Sequence, residues 1–135
     1  MFLKIINKYY RVIKFILVGA SGVIVNLGLL YFLKEFLKIN YLVAGLVAIE
    51  ISIINNFVLN SLWTWKDKFT TSLKIILFRF LKFNFSTGFS ILVINFLFLW
   101  VLTEYFHFYY ILSQSIGIIM GSIINFLLYH YWVFK

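Results

Sequence analysis

The sequence predicts an all-α membrane protein with four transmembrane helices, formed by two tandem repeated helical hairpins, with both termini in the cytoplasm. Of the 135 residues, 64% are hydrophobic and only 12% are charged, which is about half the charge of a typical soluble domain. Four apolar runs each reach the roughly 20 residues that a membrane-spanning helix needs. In addition, the sequence nearly repeats itself after 69 positions.

The four apolar runs are approximately Ile13–Leu33, Leu42–Trp63, Leu81–Leu102 and Tyr109–Trp132. Little chain remains outside them, so we expect a single transmembrane domain over residues 1–135 and no soluble catalytic domain. Cysteine and proline are absent, which argues against disulfide scaffolds and thiolate metal sites. The sequence also contains no metal-binding cluster, nucleophile–base set or phosphate loop, and its two histidines stand apart, so we expect no metal, no cofactor and no enzymatic activity.

The N-terminal arm carries Lys4, Lys8 and Arg11 at helical spacing. This pattern predicts an amphipathic helix that lies along the membrane interface before the chain turns into the first span. The opening of the chain also resembles a signal peptide. However, the same pattern recurs in the middle of the chain, which favours a retained first helix.

Basic residues are concentrated on one side of the predicted membrane. They occupy the N-terminal arm and the connection between the second and third spans, where they are Lys66, Lys68, Lys74, Arg79 and Lys82. The other two connections are weakly positive or lack Lys and Arg. The positive-inside rule then places both termini in the cytoplasm. We expect the protein itself to lie in the cytoplasmic (inner) membrane. The net charge of +8 would attract anionic lipid headgroups. We expect no nucleic-acid partner, because the basic groups flank the spans.

The internal repeat pairs equivalent polar and aromatic residues. A shift of 69 aligns Gly19 with Gly88, Asn26 with Asn95, Asn56 with Asn125, Trp63 with Trp132, and Lys66 with Lys135. Around Arg11 and Arg79 the shift is 68, so one residue was gained or lost near the start of the unit. Repeat one covers about residues 11–66 and repeat two about 79–135. Each repeat crosses the membrane twice, so we expect a pseudo-two-fold axis along the membrane normal.

Small residues at four-residue spacing predict close helix packing. They form ridges on the second span, from Ala44 to Asn56, and on the fourth, from Ser113 to Asn125. Such ridges let helix backbones approach each other closely in lipid. The predicted packing residues are Gly19, Gly22, Asn26, Gly88, Asn95, Gly117 and Gly121.

Polar side chains inside the apolar runs need partners, because an unpaired amide in hydrocarbon costs several kcal/mol. The asparagines either bond between helices or form a polar patch for a ligand headgroup, and Asn56, Asn60 and Asn125 lie near the basic end. Glu50, whose counterpart is Ile119, has a structural or a proton-linked role.

Aromatic residues close the second and fourth spans beside lysines. Trp63 lies near Lys66, and Trp132 lies near Lys135. Such tryptophans are belt anchors at the headgroup level, or surfaces on which a sugar can stack.

These motifs resemble those of the GtrA-like family of small four-helix membrane proteins over nearly the whole chain. The family motifs are present as Val18, Gly19 and Asn26, followed by Asn56, Phe57, Asn60, Trp63, Thr64 and Trp65, with a degenerate copy at Asn125, Phe126, Trp132 and Phe134. The element formed by Glu50 and Ser52 resembles the version of the domain that is fused to polyprenyl-phosphate sugar synthases.

The resemblance implies translocation of a polyprenyl-phosphate-linked sugar, such as undecaprenyl-phosphate sugar, across the membrane for cell-surface polysaccharide or teichoic-acid glycosylation. The implied headgroup-binding residues are Asn56, Asn60, Asn125, His130, Lys66, Lys135, Trp63 and Trp132. Many relatives have arginine after the last motif asparagine, where this chain has Ser61. His130, Lys66, Lys135 or a charge from the basic connection must then replace it.

Two other functions remain open. The domain could anchor or position a separate glycosyltransferase without transporting anything, or it could export a small ion or drug with Glu50 coupled to protons. The partners considered are the membrane, the sugar lipid and a glycosyltransferase. A homodimer is a further expectation, because four short helices enclose little volume.

Overall fold

The computed structural model describes residues 2–135, apart from the side chains of Phe2 and Tyr110. The described residues form five α-helices: α1 (Phe2–Glu35), α2 (Tyr41–Leu59), α3 (Leu73–Phe89), α4 (Phe96–Glu104) and α5 (Tyr110–Leu128). A π-helical segment, Ser90–Asn95, joins α3 to α4. The predicted all-α fold with four spans is confirmed, since four helices are long and apolar enough to cross a membrane: Leu3–Glu35, Tyr41–Thr64, Leu73–Glu104 and Ile111–Val133.

The chain divides into two compact units between Phe69 and Thr70. In the first unit, which we call the first hairpin, α1 packs against α2. In the second unit, the second hairpin, α5 packs against α4 and the π segment Ser90–Asn95. Each hairpin therefore contains two of the four spans.

The N-terminal arm is part of α1 and is not a separate interfacial helix. α1 runs without interruption from Phe2 to Glu35. Proline is absent and the first glycine of the chain is Gly19, so no residue before that point favours a break in the helix. The predicted turn between the arm and the first span is wrong, and Arg11 and Lys14 lie on the same helix as the span.

The third span begins earlier than its predicted start at Leu81. α3 starts at Leu73, because residues 73–80 are mostly leucine, isoleucine and phenylalanine and can join the amphipathic helix. Lys74, Arg79 and Lys82 therefore lie on α3 and not in a connecting loop, so their side chains have fixed positions around the helix.

The two hairpin turns have the same backbone geometry. Lys38 and His107, 69 positions apart, both have left-handed backbones, with φ of 55° and 56°. The N–H of the next residue donates six positions back in each case, from Ile39 to the Leu33 oxygen (3.1 Å) and from Phe108 to the Leu102 oxygen (3.0 Å). This is the Schellman arrangement that ends many helices, normally with glycine at the left-handed position.

The second and fourth spans also end alike, in π-helical segments at Asn60–Thr64 and Tyr129–Val133. The Trp65 N–H donates to the Asn60 oxygen (2.8 Å) and the Phe134 N–H donates to the Tyr129 oxygen (2.9 Å), five positions back in each case. The wider turn carries both aromatic rings inward, and each is only 1% exposed. Each hairpin is thus closed at this end by a buried aromatic side chain.

Hydrogen bonds donated by side chains of α2 join the helices of the first hairpin. The Ser52 hydroxyl donates to the Gly22 carbonyl oxygen (2.7 Å), and the Asn55 amide donates to the Ser21 hydroxyl (3.1 Å). A Cβ atom at Gly22 would clash with the Asn56 side chain. The absence of a side chain at Gly22 therefore makes room for an asparagine of the facing helix.

A different set of polar contacts joins the helices of the second hairpin. The Asn125 side-chain oxygen accepts from the Ser86 hydroxyl (3.0 Å) and from the Ser90 hydroxyl (2.8 Å). Gly117 lies against the Asn95 backbone, and a Cβ atom there would come within 2.9 Å of the Asn95 carbonyl oxygen. Gly121 lies against the Asn95 side chain in the same way.

Two of the predicted packing glycines do not lie at a close helix contact. A Cβ atom at Gly19 or Gly88 would meet no atom within 4 Å. Within the hairpins, a Cβ atom would meet the facing helix at Gly22, Gly117 and Gly121. Gly19 and Gly88 thus make no close contact with the facing helix of their own hairpin, and their packing role stays a prediction.

Candidate functional site

An open groove lies at the end of the second hairpin where α3 begins and the fourth span ends. Its volume is about 700 Å³, and it is lined by Lys74, Ile75, Phe78, Arg79, Lys82, Trp132, Val133 and Lys135. Four of these eight residues are cations and two are aromatic. The volume is within the range of sites that bind small molecules and cofactors.

Aromatic rings position the cations of the groove. The Lys82 ammonium lies 4.6 Å from the centre of the Phe78 ring and 5.4 Å from that of Trp132. It also donates to the Trp132 carbonyl oxygen at 3.4 Å. The Arg79 guanidinium lies 5.9 Å from the centre of the Phe134 ring. Each contact is within the range of cation–π attraction, so both cations are held beside apolar surface.

The charge of the groove is strongly positive. None of the described residues that line it is acidic, while Lys74, Arg79, Lys82 and Lys135 each carry a positive charge. Such a cluster beside low-dielectric walls attracts anions. Arginine can bind two phosphate oxygens at once, and lysine adds a mobile ammonium donor. The chemistry of the groove therefore suits a phosphate group attached to an apolar or sugar moiety.

The corresponding end of the first hairpin has a similar framework with a different charge. The Lys14 ammonium lies 5.6 Å from the centre of the Trp63 ring. The Arg11 guanidinium, however, donates to the Asp67 carboxylate at 2.8 Å. One positive charge of this end is thus neutralised by a carboxylate of the same hairpin.

The predicted headgroup residues are distributed over several environments. Trp132 and Lys135 line the groove. Trp63 and Lys66 are exposed at the end of the first hairpin. His130 is stacked on Phe126, with ring centres 6.1 Å apart, and does not line the groove.

The three predicted asparagine ligands lie inside the hairpins. The Asn125 oxygen is engaged by two serine hydroxyls, and the Asn56 side chain packs on Gly22 and accepts from Asn55 at 3.4 Å. Asn60 is only 2% exposed. Its side-chain oxygen makes no hydrogen bond within the described part of the chain. Asn56 and Asn125 are half-buried, and the ligand role of all three amides stays a prediction.

Glu50 lies in α2 with an exposed side chain. It is three turns before the buried Asn60 and does not belong to the groove. Its structural or proton-linked role stays a prediction.

Sequence reasoning assigned Lys74, Arg79 and Lys82 to a loop and did not place them in a site. The repeat contained a signal for two of them, because Arg79 and Lys82 correspond to Arg11 and Lys14 with a shift of 68. Each repeat begins with a pair of cations three residues apart. This pattern predicts that the two pairs occupy equivalent positions on their helices. Lys74 has no basic counterpart in the first hairpin, so the repeat could not identify it.

Comparison with known proteins gives two matches. The family model described as "GtrA/DPMS, transmembrane domain" matches residues 14–134. A relative from Pyrococcus furiosus named dolichol-phosphate mannosyltransferase is 37% identical over 111 residues. The aligned part covers 82% of this chain and 30% of the relative, so the chain spans less than a third of the length of that protein.

Proposed function

Because the chain belongs to the GtrA/DPMS transmembrane-domain family, we propose that this multi-pass membrane protein binds a polyprenyl-phosphate-linked sugar and moves its headgroup across the membrane. The observation that carries the proposal is the basic aromatic groove of the second hairpin. The name of the Pyrococcus furiosus relative, which combines a polyprenyl phosphate with a sugar transferase, supports the same class of lipid.

The groove offers separate surfaces for the parts of the headgroup. The phosphodiester of such a lipid carries one negative charge, and Arg79 and Lys82 would replace the water around it with charge-assisted hydrogen bonds. The exposed face of Trp132 offers an apolar surface for the sugar, as tryptophan does at membrane interfaces. Lys74 and Lys135 at the edges would raise the local concentration of anionic lipid.

Polar groups continue from the groove into the span. Lys82 and Ser86 on α3 and Ser90, the first residue of the π segment, follow at four-residue spacing, so each successive group lies about 6 Å further along the helix. Asn125 already bonds both serines. In the proposed mechanism these hydroxyls and the amide exchange their mutual hydrogen bonds for bonds to the sugar, while the prenyl chain stays in lipid. Partners along the route reduce the cost of moving a polar headgroup through hydrocarbon.

The test measures headgroup movement in liposomes. Purified protein is reconstituted with a short-chain polyprenyl-phosphate glucose, and the rate at which the sugar becomes accessible on the opposite face is compared with empty liposomes. We expect acceleration by the protein. The double variant Arg79→Gln/Lys82→Gln should lower the rate by more than about tenfold, because two hydrogen bonds to a charged group are lost.

The matched control is Lys34→Gln/Lys38→Gln, which removes one charge from the last turn of α1 and one from the connection that follows it. It should transport at the unaltered rate. Folded protein that gives no acceleration with several sugars would overturn the proposal. Equal loss in both double variants would show that total charge matters and the groove does not.

The second candidate function is the anchoring or positioning of a glycosyltransferase. It is favoured by the alignment, in which this chain matches only 30% of a longer protein named as a mannosyltransferase. Co-purification with a separate glycosyltransferase, together with unaltered lipid movement in liposomes, would support anchoring over transport.

A further inference from the structure

The first hairpin repeats the geometry of the groove closely. The lysine-to-tryptophan distance is 5.6 Å for Lys14 and Trp63 and 5.4 Å for Lys82 and Trp132. Behind each pair lies an edge-to-face aromatic contact. Its ring centres are 6.3 Å apart in the first hairpin, between Phe15 and Trp65, and 6.4 Å apart in the second, between Phe83 and Phe134. The interplanar angles are 78° and 73°.

The arginine is the element that differs. Arg79 in the second hairpin lies over the Phe134 ring. Its counterpart Arg11 donates to the Asp67 carboxylate at 2.8 Å. A guanidinium forms charge-assisted hydrogen bonds to the oxygens of a carboxylate as it does to those of a phosphate. The Asp67 carboxylate therefore occupies the position at which an anionic oxygen would bind in this framework.

We propose that the first hairpin contains a second phosphate-binding site, formed by Arg11, Lys14 and Trp63, which Asp67 occupies as an internal competitor. The inference rests on the proposed function for the identity of the ligand, a phosphate ester of a prenyl lipid. It makes the two hairpins unequal, because the groove is open to a phosphate and the first site must release Asp67 before it can bind one.

The ion pair is suited to such competition. The Asp67 side chain is 52% exposed, and exposed ion pairs contribute little to stability because water screens them. Lys66 and Lys68 flank Asp67 in a short 3₁₀ turn, so an incoming phosphate would meet further positive charge. Removal of the carboxylate should therefore open the site without unfolding the hairpin.

The experiment counts bound ligands by native mass spectrometry of the purified full chain in detergent, with geranyl phosphate as the probe. The unaltered protein should bind one equivalent, in the groove. Asp67→Asn should bind two. Asp67→Asn/Arg11→Gln should return to one, because the second equivalent needs the guanidinium.

A charge-matched control is Glu104→Gln, which also removes one carboxylate but at the other end of the second hairpin. It should bind one equivalent. If Asp67→Asn still binds one, or if its second equivalent persists when Arg11 is replaced, the inference is overturned. If the unaltered protein binds none and Asp67→Asn binds one that needs Arg11, the groove assignment fails while the first site stands.

A parallel experiment with inorganic phosphate distinguishes a lipid phosphate from free phosphate as the ligand. We expect it to give less occupancy than geranyl phosphate at the same concentration, because Trp63 and the adjoining apolar surface also contact the prenyl chain. Equal occupancy would assign the site to free phosphate and would overturn the proposal that its ligand is a lipid phosphate. Thermal unfolding of Asp67→Asn, measured beside the unaltered protein, checks that the extra binding comes from folded chains.

Discussion

The Lys82 ammonium contacts both the ring and the backbone of Trp132. It lies 5.4 Å from the centre of the ring and 3.4 Å from the carbonyl oxygen. This relationship joins the first turns of α3 to the end of the fourth span. It leaves the lysine at the edge of the groove with its stem on apolar surface and its charge toward water. Trp132, together with Phe78, therefore fixes the position of one cation in the groove.

Replacement of Trp132 by leucine should weaken the binding of geranyl phosphate by about two- to fivefold, since the cation–π contact contributes about 0.5–1 kcal/mol at an exposed site. Titration calorimetry of the protein in detergent measures the effect. Trp100→Leu is the matched control, because Trp100 packs edge-on against Tyr105 at the other end of the hairpin. Equal weakening in both variants would contradict the role of the Lys82 contact.

The double variant Ser86→Ala/Ser90→Ala should destabilise the second hairpin by about 1–3 kcal/mol, because two hydrogen bonds between helices are lost and each contributes roughly 0.6–1.7 kcal/mol in a membrane. Thermal unfolding in detergent measures this. Ser115→Ala serves as the control, since its hydroxyl bonds only the Ile111 oxygen of the same helix. A double variant as stable as the control would show that Asn125 finds other donors.

Gly117→Ala should destabilise the protein by about 1–3 kcal/mol, the usual cost of overpacking, because the added methyl group would press on the backbone of Asn95. Gly88→Ala should be neutral or slightly stabilising, since nothing lies within 4 Å of the new atom and alanine favours helix over glycine. Equal unfolding temperatures for the two variants would contradict the close helix contact at Gly117.

Lys38→Gly and His107→Gly should each stabilise the chain by about 1 kcal/mol, because glycine avoids most of the cost that a side chain incurs in a left-handed backbone. The comparison is with Lys34→Gly inside α1, which should destabilise by a similar amount. Chemical unfolding in detergent gives all three values. A loss of stability in both turn variants would mean that the Lys38 and His107 side chains contribute more than backbone strain costs.

The spans and the family were predictable from the sequence, for different reasons. The spans follow from hydropathy, which needs no tertiary contact, and the family follows from the spacing of Asn56, Asn60 and Trp63, which the match over residues 14–134 confirms. The start of α3 was not predictable in this way, because Lys74 and Arg79 interrupt the apolar residues from Leu73 to Phe80, and basic residues next to a span are equally typical of a connection.

The site was predicted only in part. Their place at the end of a span predicts Trp132 and Lys135 as headgroup residues, and both line the groove. Asn125 was chosen as a ligand, but its use as an acceptor for Ser86 and Ser90 depends on which helix faces touch. Spacing along one helix does not contain that information, since it requires the rotation of the partner helix.

The π segment Ser90–Asn95 accounts for the one-residue slip between the two halves of the sequence. Thirteen positions separate Lys82 from Asn95, whereas twelve separate the corresponding Lys14 and Asn26. The stretch from Lys14 to Asn26 is α-helical throughout, whereas the stretch from Lys82 to Asn95, which has one more residue, contains the wider turn of the π segment. In an uninterrupted α-helix the extra residue would rotate everything beyond it by about 100°. The wider turn compensates for this rotation. Lys82 and Asn95 therefore keep the same angular relationship around the helix axis as Lys14 and Asn26.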